Sequence, residues 1–296
     1  MPKKGILLIA LGNPLYGNLA YNLAMSIKAR AQINGDPATF IALVHDNNSI
    51  SHLNEAQRFH FDQKIICPPE YYQHNGETHY LKSKLYIDKL TPFEQTIFLD
   101  ADMVWSPYKN MVDLWKEFGN EMAFSIACRE KKDNAGVSEW VKLEDINTIY
   151  GFTEWMDLSS EVMYIDKTKQ SCVQMFEDAR EFYSHDYLNV RQFAGGKPDE
   201  PFFTLAMLKN SMLPHKQPFK PSYWEYAHGK TGSFIKDVDL WNTYYLLSIG
   251  GKAPSAKIES IYNNIMKYYA HHKGVIYHKH TQYNNKGKVL AERKLI

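Results

Sequence analysis

Through its first hundred residues the chain alternates short apolar runs with stretches of helical spacing, and few folds accept that rhythm. Ile6–Leu11 is an apolar run bounded by glycines, which reads as a fully buried and therefore parallel strand. After the turn Gly12–Gly17, Asn18–Ala31 sets Leu19, Leu23 and Ile27 at helical spacing, and Asn34-Gly35-Asp36-Pro37 stops the helix. Phe40–Val44 reads as a second strand, Leu53–Phe61 as a helix, Gln63–Cys67 as a third strand and Thr78–Leu90 as a helix. The run Ile97–Leu99 then carries β-formers into Asp100-Ala101-Asp102. Strand–helix–strand alternation of this kind implies an α/β fold, with a mostly parallel central sheet flanked by helices.

In such sheets ligands bind beyond the carboxyl ends of the strands. Leu11, Gly12, Asn13 and Tyr16 follow the first strand, Asp46 follows the second, and Asp100, Ala101 and Asp102 end a later one. These residues are therefore the candidates for a shared nucleotide-type site. The Gly12–Gly17 turn has neither Gly-x-Gly-x-x-Gly spacing nor Gly-Lys-Ser/Thr, so no dinucleotide fingerprint or Walker motif is present. Two residues apart on an extended backbone, Asp100 and Asp102 are expected to point to the same side. A carboxylate pair ending a buried strand needs a cation or hydrogen bonds to offset it, and a hard divalent metal holding a diphosphate would serve. The other reading is a strand end with two solvated aspartates feeding a turn.

Further along, Asn110–Phe118 reads as a helix, Met122–Ala127 as a strand, and Arg129–Phe152 as a long polar loop of the kind that carries function. Glu161–Ile165 is a strand and Gln170–Ser184 a helix. A Gly/Pro-bounded loop holds Asp199-Glu200, before a helix over Phe202–Lys209. Leu240–Leu247 and Ser255–Tyr269 read as helices, and Val275–His280 as a last strand bearing His278 and His280. Trp140, Trp155, Tyr223 and Trp224 lie in loop-like stretches and are candidates for stacking on a sugar or base.

Composition bounds the function. A net charge of +1 over 296 residues gives no global field for nucleic acid or an anionic membrane. The basic residues are unevenly spread: from Lys252 onward they far outnumber the acids, which suits a phosphate-bearing ligand or a solvated surface. Cys67, Cys128 and Cys172 are odd in number and far apart, against a disulfide framework or zinc site, and imply a reducing, cytoplasmic setting. No apolar run reaches the ~20 residues of a bilayer span.

With these pieces in order, the chain resembles the GT-A-fold glycosyltransferases, and within them the glycogenin/galactosyltransferase-like group, glycosyltransferase family 8. Phe98-Leu99-Asp100-Ala101-Asp102-Met103-Val104 resembles the group's Tyr-Leu-Asp-x-Asp signature. Leu43-Val44-His45-Asp46 resembles its second strand end, and Tyr80-Leu81-Lys82-Ser83-Lys84-Leu85 its Tyr-Ala-Arg-x-x-Leu helix, with Lys82 at the basic position. Asp199-Glu200 resembles its Asp-Gln pair, and Val275-Ile276-Tyr277-His278 the late strand whose histidine is the third metal ligand. Two motifs depart: Ser159-Ser160-Glu161 stands for Asn-Ala/Ser-Gly, and the closing Gly-x-x-Lys-Pro-Trp is replaced by His280-Thr281-Gln282-Tyr283-Asn284-Asn285-Lys286-Gly287-Lys288.

The resemblance implies one GT-A domain over 1–296, with a nucleotide-binding half (1–105), an acceptor-side half (106–250) and a basic segment closing the donor site (251–296). It implies a nucleotide-sugar donor, a UDP-sugar, and Mn²⁺ or Mg²⁺ held by Asp100, Asp102 and His278, with His280 as the alternative. It implies phosphate or sugar contacts from Lys82 and Lys286, and catalytic roles for Asp199, Glu200 and Glu161, with retention at the anomeric carbon. For Asp199 and Glu200, helix N-terminal capping is the competing reading. The acceptor is open among a glycan, a lipid-linked glycan, a protein and a modified nucleic acid. Rival readings are a phosphohydrolase using Asp-x-Asp, a nucleotidyltransferase and a non-catalytic GT-A-like binding protein. The hydrolase motif normally ends the first strand and is followed by Gly/Thr, whereas here it ends about the fourth and is followed by Met103-Val104. A nucleotidyltransferase wants a basic residue in the first glycine loop, and Gly12–Gly17 has none.

Overall fold

The computed structural model describes residues 2–119, 122–133, 138, 140–185, 187–193, 196–215, 222–223, 241–249, 256–271, 279–283 and 289–294. Strands β1 (Lys4–Ala10), β2 (Ile41–His45), β3 (Gln63–Ile66), β6 (Gln95–Asp100), β8 (Phe124–Asp133) and β9 (Glu154–Asp166) form one six-stranded sheet. Its order is β3-β2-β1-β6-β9-β8, mostly parallel, with β1 and β2 parallel and β8 and β9 antiparallel. Its neighbours along the chain are α1 (Pro14–Asn34), α2 (Glu55–Arg58), α3 (Ile87–Leu90), α4 (Met111–Phe118), α5 (Leu143–Tyr150), α6 (Gln170–Ser184) and α7 (Glu200–Lys209). A hairpin of β4 (Gln73–His74) and β5 (Glu77–Thr78) precedes a 3-10 helix over Tyr80–Tyr86. Strands β7 (Met103–Trp105), β10 (Ser222–Tyr223) and β11 (Leu246–Ser248) make a small sheet, and β12 (Lys279–Tyr283) pairs with β13 (Val289–Lys294). The helix Ala256–His271 lies between them in sequence.

The chain groups into two compact units. One comprises Met1–Lys4, Ile66–Phe98 and Asn120–Phe219; the other comprises Gly5–Ile65, Leu99–Gly119 and Lys220–Ile296. Among the described residues no helix is long and apolar enough to cross a membrane. None of the three cysteines is in a disulfide, and all three are buried.

Several elements differ from the sequence-based expectation, each for a visible reason. Helix α1 begins at Pro14, so Tyr16 and Gly17 are helical and the turn after β1 is only Leu11–Asn13. Asn13 caps it by accepting the Leu15 N–H at 2.9 Å, and proline is preorganised for the first helical position. The helix expected over Thr78–Leu90 is instead a hairpin strand, a 3-10 helix and one α turn. The Asn75-Gly76 turn, with φ of 51° and 82°, closes the β4–β5 hairpin with the positive φ values that two-residue hairpin turns use. The helix over Leu53–Phe61 shrinks to the single capped turn α2. Most of the expected loop Arg129–Phe152 is taken up by the extension of β8 to Asp133 and by α5. The helix expected over Leu240–Leu247 is borne out only at 241–243 among the described residues: Leu246 and Leu247 pair with Trp105 and Val104, a tertiary pairing that overrides local preference.

Gly17 is where α1 meets the loop after β2. A Cβ built there would lie 2.0 Å from the Ser49 carbonyl oxygen, which is backbone and has no side chain to swing away. Gly17→Ala is expected to cost about 2–3 kcal/mol, as overpacking does, and to lower the melting temperature by several degrees. An unchanged melting curve would show that the helix does not press on this loop.

Candidate active site residues

The second unit carries the predicted nucleotide end. Gly12 leaves β1 with φ 78°, a left-handed conformation that suits glycine. Its N–H donates to Asp46 Oδ2 at 2.7 Å, while Asp46 Oδ1 accepts the Ser49 N–H at 2.7 Å. Asn48 Nδ2 returns a bond to the Gly12 carbonyl at 2.6 Å. The register Ala10↔His45 sets these two loops side by side. Asp46 thus braces the Gly12 turn with both oxygens. Beside it, burial lowers the pKa of His45. Leu11 is buried, Gly12 and Tyr16 are half-buried and Asn13 is exposed.

Asp100 is the last residue of β6, and Ala101-Asp102 is a turn leading into β7. The extended spacing expected through both aspartates therefore stops at the first. Both are half-buried, directly after Ile97, Phe98 and Leu99, which are wholly buried. The turn is held from downstream. The Ile249 N–H bonds the Asp102 carbonyl at 3.0 Å, and β7 pairs antiparallel with β11. Ser26 Oγ on α1 accepts the Trp105 N–H at 3.0 Å, and Tyr269 Oη donates to the Trp105 carbonyl at 3.1 Å. Tyr262, bonded by Asn22 Nδ2 at 3.1 Å, has its phenol pushed up by burial, and the Asp102 charge adds to the rise. Two carboxylates with access to solvent form a hard oxygen donor set that fits Mg²⁺ or Mn²⁺. Among the described residues no group of three His, Cys, Asp or Glu is arranged for a metal. His278 and Lys286 lie outside the described residues, as does Trp224. His280 is in β12, opposite Arg293.

The first unit gathers the other candidates around Glu200. The β8–β9 ladder is interrupted twice: Cys128↔Leu158 is followed by Glu130↔Asp157, and Ile126↔Met163 by Ala127↔Ser159. The first interruption leaves Arg129 outside the pairing, and the second leaves Ser160, Glu161 and Val162 outside it. Bulges free backbone groups and re-aim side chains. Both freed segments meet one carboxylate. Arg129 Nη2 donates to Glu200 Oε2 at 2.6 Å, Trp140 Nε1 to the same oxygen at 2.7 Å, and the Ser160 N–H to Oε1 at 3.1 Å. Buried Lys84 donates to Ser160 Oγ at 3.2 Å. Glu161 is half-buried within the second bulge.

Glu200 opens α7, with Asp199 at the N-cap, but neither acts as the expected capping acid: Asp199 makes no side-chain cap bond. Asp199 is 3% exposed, and among the described residues its Oδ2 oxygen has no hydrogen-bond partner. Lys82 donates to the Glu70 carbonyl at 2.8 Å and to the Gln73 carbonyl, holding that turn. Trp155 is a core residue whose Nε1 bonds Asp157 at 3.0 Å. The sequence-based reading did not single out Arg129, Ser160 or Lys84, because no spacing rule announces a bulge, and Lys84 stood in the shadow of Lys82.

Burial pushes the Glu200 carboxyl above its ordinary range; Arg129 opposes the shift and Asp199 adds to it. A carboxyl raised in the fold binds its proton more tightly than in the unfolded chain. Its contribution to stability is therefore largest below the ordinary value, about pH 4, and declines as pH rises through the raised one. Urea unfolding across that window should show the decline in the wild type and a flatter profile in Glu200→Gln. Glu200→Ala, which strands the Arg129, Trp140 and Ser160 donors, is expected to cost about 2–4 kcal/mol; a loss under half a unit would mean that the network contributes little.

No protein-family model and no curated protein sequence matches the chain. Solved structures do. The galactosyltransferase LgtC, in complex with donor and acceptor sugar analogues, superimposes with a TM-score of 0.55 at 14% identity, over 89% of this chain and 95% of its own. The bifunctional glycosyltransferase WbbM gives 0.54 at 11% identity, covering 92% of this chain and 50% of that one. The glycosyltransferase GlyE of Streptococcus pneumoniae TIGR4 gives 0.53 at 14% identity, covering 91% and 63%. The chain has the GT-A glycosyltransferase fold.

Proposed function

We propose that this GT-A-fold protein transfers a glycosyl group from a nucleotide-diphosphate sugar, with UDP as the nucleotide, to an acceptor hydroxyl. The observation that carries the reading is the placement of Asp100-Ala101-Asp102 at the end of β6, within a fold shared with glycosyltransferases over most of the chain. Asp100 and Asp102 would hold Mn²⁺ or Mg²⁺ together with His278, or with His280 in its place. When bound, the ion supplies Lewis acidity that offsets charge on the leaving diphosphate. Gly12, fixed by Asp46, offers backbone to the nucleotide, with Leu11, Asn13, Tyr16 and Ala101 around it. Lys286 and Lys82 are proposed phosphate or sugar contacts.

Asp199 and Glu200 divide the remaining work. Glu200 is fully engaged by three donors, so its role is to fix Arg129, Trp140 and the Ser160 bulge in place. Asp199, whose buried Oδ2 has no hydrogen-bond partner among the described residues, is proposed to accept a hydroxyl of the transferred sugar. Glu161 sits in the bulge at the position where the resembling family has glycine, a place from which its carboxylate would bear on the same sugar. Retention at the anomeric carbon is the expected stereochemical course by family resemblance.

Thermal melting with a panel of nucleoside diphosphates, with and without Mn²⁺, tests the donor side. UDP at a hundredfold excess over Kd should stabilise by about 2.7 kcal/mol, raising the melting temperature by about 4 °C. The shift should require Mn²⁺ and vanish in Asp102→Ala. A folded protein that shifts with no nucleotide would sink the glycosyltransferase reading.

A further inference from the structure

Every residue of α1 from Gly17 to Ile27 is buried, yet Asn18, Asn22 and Ser26 set polar side chains one turn apart along one face. Polar groups in such a place are costly unless paired. Asn18 keeps slight access to solvent, at 8% exposed. Ser26 is paired: its Oγ accepts the Trp105 N–H of β7 at 3.0 Å and donates to the Leu23 carbonyl at 2.8 Å. Tyr269, on the helix Ala256–His271, takes the Trp105 carbonyl at 3.1 Å. One turn before Ser26 on α1, and two turns before Tyr269 on the other helix, Asn22 Nδ2 donates to Tyr262 Oη at 3.1 Å. The levels match: Tyr262 lies about 10 Å along its helix from Tyr269, and an extended chain from Trp105 back to Asp102 covers about 10 Å as well. The Asp102 charge adds to the rise that burial gives the Tyr262 phenol, so this second rung stands on the Asp102 side of Trp105. Unlike the first rung, it is incomplete. Asn22 is 0% exposed, and its Oδ1 has no hydrogen-bond partner among the described residues. Tyr262 is equally buried, and among the described residues the hydrogen of its own hydroxyl meets no acceptor. Turning the amide over exchanges donor and acceptor, but still leaves one end of it open and a hydrogen to give.

We propose that Asn22 and Tyr262 are positioning residues for the cation-binding aspartates: together they hold a water molecule that donates a hydrogen bond to the Asp102 carboxylate and fixes its orientation toward a divalent ion. The inference rests on the cation-binding reading of Asp100 and Asp102 above and deepens it. A single water has the right complement of groups. It accepts the Tyr262 O–H, gives one hydrogen to Asn22 Oδ1 and gives the other to the Asp102 carboxylate. Such a set of polar partners is what a buried water needs. Groups that bond a metal-ligating side chain from behind hold it in the binding orientation, and their loss weakens the metal. A hydrogen bond that merely joined the two helices would account for the 3.1 Å contact. It would not account for the open amide oxygen, because burying that atom without a partner works against whatever stability the bond contributes. Amid Leu19, Leu23, Met25 and Ile27, a packing role alone would be served by apolar side chains.

The test titrates Mn²⁺ into the full chain in the presence of UDP and reads the free ion by its paramagnetic resonance signal. Melting of the metal-free protein is measured alongside. The main variant combines Asn22→Leu with Tyr262→Phe. It removes both polar groups while nearly keeping their shapes, so the metal-free protein should melt at or above wild type. Its Mn²⁺ affinity should nevertheless fall about tenfold, the loss expected when a group that orients a metal ligand is removed. Tyr262→Phe alone should also weaken Mn²⁺ binding, and Asp102→Ala should abolish it. A purely structural pair would move the melting temperature and leave the affinity alone. A double variant that folds and binds Mn²⁺ as wild type does overturns the inference. Should the double variant fail to fold, Tyr262→Phe decides in the same way. Mn²⁺ binding that needs Asp102 but ignores Asn22 and Tyr262 defeats this inference only. Wild type binding no Mn²⁺, or Asp102→Ala binding it unchanged, defeats the cation reading and this inference with it.

Discussion

A buried carboxylate must be compensated, and at Glu200 the compensation organises the surrounding chain. Its two oxygens accept from Arg129 on β8, from the Trp140 indole and from the Ser160 N–H on β9. Arg129 and Ser160 both lie where the β8–β9 register is interrupted, which leaves the Ser160 N–H outside the ladder pairing. The two bulges are therefore part of the same construction as the ion pair. An Arg–carboxylate bond of 2.6 Å with a 12% exposed glutamate is not a surface pair of negligible worth, because losing either partner strands the other. The cost of the irregular ladder is offset at one point, and that point precedes α7.

The same logic operates on a smaller scale at the Gly12 turn. Asp46 spends both carboxylate oxygens on backbone N–H groups, so the loops ending β1 and β2 are fixed to each other before any ligand arrives. Gly12 and Gly17 serve different ends there. The first supplies a positive φ, while the second gives room for the Ser49 carbonyl. At the Asp-x-Asp turn the rigidity comes from behind, through Trp105, whose backbone N–H and carbonyl are taken by Ser26 and Tyr269. In all three places the candidate site residues are held by hydrogen bonds to neighbouring elements. Such preorganisation lowers the cost of binding.

The α/β class, β1, β2, β3 and α6 were legible in the sequence because each is a local apolar pattern of unambiguous period. The strand end at Asp100 was legible because a wholly apolar run stops there, while the turn at Asp102 was not. Lys82 shows where such reading thins out. Family resemblance marked it, yet it ties the carbonyls of Glu70 and Gln73, while Lys84 reaches Ser160. Which of two lysines two residues apart faces inward depends on the helix type, and this segment is 3-10.

What the sequence by itself determined is the alternation that builds the sheet and the carboxylates at its strand ends, since hydrophobic period and residue type are local properties. What only the tertiary structure decided is how those carboxylates are used. Asp46 became a brace, Glu200 the centre of an ion-paired network, and Asp199 a buried oxygen without a hydrogen-bond partner among the described residues. The physical reason is that a hydrogen bond joins residues by distance in space. Arg129, Trp140, Ser160 and Glu200 are brought together by two bulges and a helix start, and no one-dimensional pattern encodes that meeting.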